Sequence, residues 1–218
     1  MNIIKLLHHN ISSYRNRRSS SRVKSFPYAT VLLLCVPNGV IAQTTSAAPS
    51  TRSTPTLNQL VLTSPAFSDN GMIPDKYASA TATNTLSPPL EWKGVPEGTA
   101  SFVLMVIDEE FALQKKTVPF YHWIIFNIPG TATGLPEGVP AEKQLVTGAV
   151  QPFNFRWVGY LGPGAPAAGQ PHHYIFRLMA LDVKLTVDSN ASAADIMKEM
   201  DGHILDRALL VGRYKKPK

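Results

Sequence analysis

The chain has 218 residues, 44% of them apolar, 9% aromatic and 17% charged, with a formal net charge of +6. This suits one globular domain with a real core plus a shorter appendage. It excludes a disordered tail protein, a collagen-like fibre and, with a single cysteine, a disulfide scaffold. Eighteen prolines disfavour long uninterrupted helices. The charge is unevenly placed. Residues 1–42 hold six basic side chains (Lys5, Arg15, Arg17, Arg18, Arg22, Lys24) and no acid, which leaves fifteen bases against fifteen acids in the remainder. The body is therefore electrically balanced, and nucleic acid is not an expected partner.

The start of the chain has three parts. A basic stretch runs to Lys24, an apolar run follows from Tyr28 to Val36, and Val40-Ile41-Ala42 precedes Gln43. This is the order of a secretory signal peptide, with cleavage expected after Ala42 and a periplasmic or secreted product. The apolar run falls short of the roughly 20 residues a spanning helix needs, so the cleaved chain is not expected to be an integral membrane protein. Leu34 before Cys35 is not the small residue a lipid-attachment site wants. Cleavage would remove that cysteine and with it any thiol chemistry. Residues 43–58 are rich in Ser, Thr, Ala and Pro and read as a flexible linker, with the folded body expected over residues 59–218.

Within the body several runs have strand character. In chain order they are Leu60-Val61-Leu62, the continuous apolar run Ser101–Ile107, the aromatic and β-branched run Tyr121–Ile128, the alternating run His173–Asp182, and Leu209–Tyr214. The fourth places Tyr174, Phe176, Leu178 and Ala180 on one face. Pro/Gly clusters at 96–98, 129–130, 136–138 and 162–164 separate the runs, which argues for a β-sandwich or barrel. One helix is expected over Ser192–Met200, with Ser189 and Asn190 as capping candidates and Ile196, Met197 and Met200 toward the core.

Ionisable residues at the ends of apolar strands are the informative positions. Asp108-Glu109-Glu110 stands where the Ser101–Ile107 run leaves the core. If the chain stays extended there, Asp108 and Glu110 share one face and Glu109 points away. Three adjacent acids repel, so at least one should be solvated or paired, with Lys115 and Lys116 as candidates. His122 lies inside an apolar run, His172 and His173 open another, and His203 follows the helix. None of the common hydrolase, phosphate-loop or zinc-protease motifs is present, and His122, His172 and His203 lack local metal-ligand spacing. Neither a cofactor nor a metal is expected.

The order of short motifs is informative as a whole. It runs Ser64-Pro65-Ala66-Phe67, Gly71-Met72-Ile73-Pro74, Ser87-Pro88-Pro89-Leu90-Glu91-Trp92, Val95-Pro96-Glu97-Gly98, His122-Trp123, Asn127-Ile128-Pro129, Leu135-Pro136-Glu137-Gly138, His172-His173-Tyr174-Ile175-Phe176 and Gly202-His203-Ile204-Leu205. In this the chain resembles the phosphatidylethanolamine-binding protein family, in its bacterial Raf-kinase-inhibitor-like branch, over roughly residues 60–214. The resemblance implies a mostly β, two-sheet antiparallel sandwich with few short helices. It also implies a small pocket for phosphate, carboxylate or a phospholipid head group. Carried over by motif, the ligand-binding residues are Asp108, Glu110, His122, His172 and Tyr174.

Two departures from the family pattern stand out. Where the family has D-P-D-A-P this chain reads Asp108-Glu109-Glu110-Phe111-Ala112, and His173 replaces the usual Arg. Loss of both prolines frees the loop's φ angles, and Glu109 adds a negative charge that should weaken anion binding. Imidazoles can hydrogen-bond an anion, a carboxylate can orient an imidazole, and Tyr174 can supply a wall or a hydroxyl. This is binding machinery without an evident nucleophile, so catalysis is not expected. The expected partner is a small anionic ligand or a phospholipid head group. The alternatives are an inhibitor of an unknown kinase- or protease-type enzyme, and a metal-dependent or acid–base hydrolase using Glu110 and His122.

Overall fold

The computed structural model describes residues 59–79, 86–111, 119–153 and 157–218. The signal-peptide and linker readings, and Lys115 and Lys116, lie outside the described residues. Among the described residues, eight strands form two sheets. The small sheet joins β1 (Val61–Thr63), β3 (Leu90–Lys93) and β6 (Gly134–Leu135) in the order β1-β3-β6. The large sheet contains β2 (Gly71–Met72), β4 (Ser101–Asp108), β5 (Phe120–Pro129), β7 (His172–Leu181) and β8 (Ile204–Tyr214), in the order β2-β8-β7-β4-β5. Every pairing is antiparallel except the short β2–β8 contact, which is parallel and departs from the wholly antiparallel expectation.

β4 is the central element, paired on both sides and buried at every position, and this explains its unbroken apolar run. Its even-numbered residues Phe102, Leu104 and Val106 face the small sheet with Leu62, Leu90 and Trp92. The expected face of β7 (Tyr174, Phe176, Leu178, Ala180) joins the same core. The odd-numbered Val103, Met105 and Ile107 face the other way, under helix α1 (Ala193–Met200).

The helix forms where expected, with two corrections. Its N-cap is Ser192 rather than Ser189 or Asn190, in a reciprocal capping box with Asp195. Ile196 and Met200, four residues apart, are buried, whereas Met197 is rotated about 100° off that face and is exposed.

A bulge in β5 decides where the site residues point. Val106 of β4 lies opposite Trp123 and Ile107 opposite Tyr121, so β5 carries one surplus residue, His122. The surplus lets two successive side chains turn to the same side. Trp123 enters the core between the sheets, and His122 faces the end of the sandwich. Trp123 is held there by a hydrogen bond from its Nε1 to Oε1 of the fully buried Gln151.

Candidate functional site

Because β5 and β7 both run antiparallel to β4, their first residues meet the last residue of β4. Asp108 pairs in register with Phe120 on one side and Tyr174 on the other. His172 stands two residues before Tyr174 and shares its face. A cavity of about 300 Å³ opens at this end of the sheet. It is lined by Asp108, Phe111, Phe120, His122, His172 and Tyr174, and closed by the backbone-rich segment Gly164-Ala165-Pro166.

Asp108 is the buried hinge of the arrangement. Its Oδ2 accepts a hydrogen bond from Nδ1 of His172 at 2.9 Å, and its Oδ1 accepts the Phe111 N–H at 3.0 Å. The carboxylate thus orients one imidazole and starts the turn that brings Phe111 into the wall. His122 is oriented differently. Its Nδ1 lies 2.9 Å from the Leu161 carbonyl oxygen, and its own carbonyl accepts the Leu161 N–H at 2.8 Å. A carbonyl and a carboxylate can only accept, so Nδ1 carries the hydrogen in both rings. In each imidazole Nε2 is the nitrogen left for a guest.

The surroundings of His122 are apolar. Its ring meets Phe120 edge-on at 4.8 Å and Tyr174 at 5.0 Å. Burial pushes the His122 pKa below the ordinary imidazole range, even though the Leu161 carbonyl and Asp108 pull the other way. Burial likewise pushes the Tyr174 hydroxyl well above the usual phenol range, and the Asp108 charge adds to the effect. The Tyr174 hydroxyl is therefore a protonated group at any neutral pH.

The wall segment is fixed from three directions. Leu161 is tied to His122, the Pro163 carbonyl accepts the Ser79 N–H at 2.8 Å, and the Ala165 carbonyl accepts the Lys216 N–H at 3.0 Å. At Gly162 the close approach requires glycine, because a Cβ there would lie 2.5 Å from both Ser79 N and Tyr77 O.

Four of the five residues singled out from sequence (Asp108, His122, His172, Tyr174) line this one cavity. Glu110 is not among its lining residues. The strand ends at Asp108, the chain turns, and the extended geometry that would have kept Glu110 beside Asp108 is lost. Glu110 instead takes the neighbour of His172. Its Oε2 accepts the His173 N–H at 3.1 Å and its Oε1 accepts from the His173 ring at 2.5 Å. Burial raises the Glu110 pKa, but the hydrogen bonds from His173 outweigh it and hold the carboxyl below its usual value. The two departures from the family pattern therefore meet in one hydrogen-bonded pair beside the cavity. Glu109 is exposed and does not line the cavity. His203 lies elsewhere, paired with Asp182.

Sequence reasoning missed Phe111, Phe120 and the 164–166 wall. Phe120 had a usable signal, being the first aromatic of the run that becomes β5. The wall contributes mainly backbone and small side chains, and such residues leave little chemical trace in a sequence.

Residues 63–215 match the sequence signature of the family described as phosphatidylethanolamine-binding protein. A UPF0098 protein from Methanothermobacter thermautotrophicus is 41% identical over 152 residues, covering 69% of this chain and 95% of that one. Two crystal structures have the same architecture. A phosphatidylethanolamine-binding protein homologue from Chlamydia trachomatis is 34% identical, with a TM-score of 0.63 over 73% of this chain and 99% of its own. YbcL from Escherichia coli, described as a member of the mammalian family, is 32% identical, with a TM-score of 0.64 over the same shares of 73% and 99%.

Proposed function

This chain belongs to the phosphatidylethanolamine-binding protein family, and we propose that it is an exported binding protein whose cavity takes a small ligand bearing a phosphate or carboxylate group, a phospholipid head group included. The observation that carries this reading is the convergence of Asp108, His122, His172 and Tyr174, from three adjacent strands, on one cavity of about 300 Å³. That volume suits a head group or a small acid rather than a whole lipid.

The hydrogen-bond inventory sets the terms of binding. With both Nδ1 atoms committed as donors, each Nε2 accepts while its ring is neutral and donates when the ring carries a second proton, and an anion needs donors. An anion therefore binds with a proton on the ligand or on an imidazole Nε2. The Tyr174 hydroxyl, kept protonated, interacts with the Asp108 carboxylate. The lining offers no activated nucleophile, and this favours binding over catalysis. Export rests on the basic, apolar and small-residue order of residues 1–42, with the protein acting in the periplasm or outside the cell.

Calorimetric titration with sulfate, phosphate, acetate and phosphoethanolamine tests the ligand class. Heat is expected for at least one of them, and it should vanish in His172→Ala and His122→Ala. No heat from any of the four with the wild type would end the proposal. N-terminal sequencing of the protein recovered from the growth medium or periplasm is expected to begin at Gln43.

A further inference from the structure

The face of the large sheet turned away from the small sheet is only half covered. Over β4 and β5 it is sealed by α1 and the segment before it, which bury Val103, Met105, Ile107, Ile124 and Phe126. Over β7 and β8 no described helix covers it; Arg207 and Leu209 are exposed, and Ile175, Arg177, Val211 and Arg213 are half-buried. The outward positions of β8 read Arg207, Leu209, Val211 and Arg213, and those of β7 opposite them include Ile175 and Arg177. Leu209 is 55% exposed, which for a leucine at mid-strand is a large unburied surface.

Among the described residues the arginines have no ion-pair partner. All fifteen acids of the chain fall among the described residues, and none forms an ion pair with Arg177, Arg207 or Arg213. Nε of Arg213 is buried and makes no hydrogen bond among the described residues. A buried N–H without an acceptor is costly, and a carboxylate is the group that the planar fork of a guanidinium fits.

We propose that the β7–β8 face is a docking surface for an acidic amphipathic helix of a partner protein. Its apolar stripe would pack on Ile175, Leu209 and Val211, and its carboxylates would pair with Arg177, Arg207 and Arg213. Geometry sets the size of the guest. Arg207 and Arg213 are six residues apart on an extended strand, about 20 Å. A helix covers that distance in about 13 residues, so the acids stand near both ends of a segment of that length. The guest completes the layer that α1 begins.

Charge and shape exclude the other occupants. The chain's own residues 1–42 carry six bases and no acid, so they offer these arginines no carboxylate. A second copy docked face to face sets arginine against arginine. A flat lipid surface meets α1 first, because a helix about 10 Å across stands above the open half of the sheet.

The test uses the full chain and two synthetic helical peptides. Both carry leucines at i, i+3, i+4 and i+7; one has glutamates clustered at both ends and the other has lysines there. The glutamate peptide is expected to bind, to weaken as salt rises, and to shift the backbone amide signals of residues 175–177 and 207–213. Arg207→Gln with Arg213→Gln should weaken it about tenfold, and Leu209→Ser should weaken it independently. Sulfate binding in the cavity should stay unchanged in both variants, which separates this proposal from the pocket reading. Equal binding of the two peptides, no binding of the glutamate peptide, shifts confined to other faces, or indifference to the arginine substitutions would overturn it. So would phosphatidylglycerol vesicles that capture the chain through these arginines while the glutamate peptide does not bind, or self-association that protects Leu209.

Discussion

His122 couples the pocket to pH. The unfolded chain takes up a proton on this ring near 6.5, while burial makes the folded protein do so only at lower pH. The stabilisation linked to the neutral ring is complete above 6.5 and is lost as pH falls toward the folded value. Urea melts of the ligand-free protein should therefore show falling stability from pH 7 to pH 5, with a shallower fall in His122→Gln. Sulfate binding should change in the opposite direction. Sulfate brings no proton of its own in this range, so an imidazole must supply it, and affinity rises as pH falls in calorimetric titrations. Glu110 acts through the loop it anchors. Its two hydrogen bonds to His173 hold the turn that presents Phe111 to the cavity, where Phe111 packs on Phe120 at 4.7 Å. Glu110→Ala should cost about 1 kcal/mol in urea unfolding and weaken sulfate binding severalfold. Glu110→Gln, which keeps an acceptor, should recover most of both losses.

At the scale of the element, what could be read from the sequence tracks how locally each strand is determined. β4, β5 and β7 were legible because long apolar or alternating runs suit buried strands whatever their neighbours, and their expected bounds agree with the structure to within a residue or two. β8 reaches back to Ile204, beyond the expected start at Leu209, because its outward residues are too mixed to show a pattern. β2, β3 and β6 have two to four residues each, and their pairing depends on partners far along the chain. The site was partly legible for the same reason. Residues at the ends of good strands could be placed together, but the turn after Asp108 and the bulge at His122 are decided by tertiary contacts. The supports of the wall are testable. Gly162→Ala should cost about 1–3 kcal/mol through overpacking against Tyr77 and Ser79 and should abolish sulfate binding by moving Ala165. Gln151→Leu should cost about 2–4 kcal/mol in urea, since it orphans Trp123 Nε1 and the Pro140 and Glu142 carbonyls that the Gln151 amide now satisfies.

For the whole molecule, the division of labour is between a core and the end of a core. Among the described residues Leu60 is the first side chain of the central cluster. The surplus residue at the open end of β5 has a further bearing. His122 is one of two positions by which β5 outnumbers β4, and its side chain, though buried against Phe120 and Tyr174, faces the cavity rather than the layer that Trp123 fills. Selection can thus rewrite the chemistry of this one spot, from imidazole to amide to hydroxyl, while Trp123 and its neighbours keep their seats. Such a scaffold is a good starting point for diversification and for engineered receptors, because its recognition vocabulary can change without renegotiating the architecture.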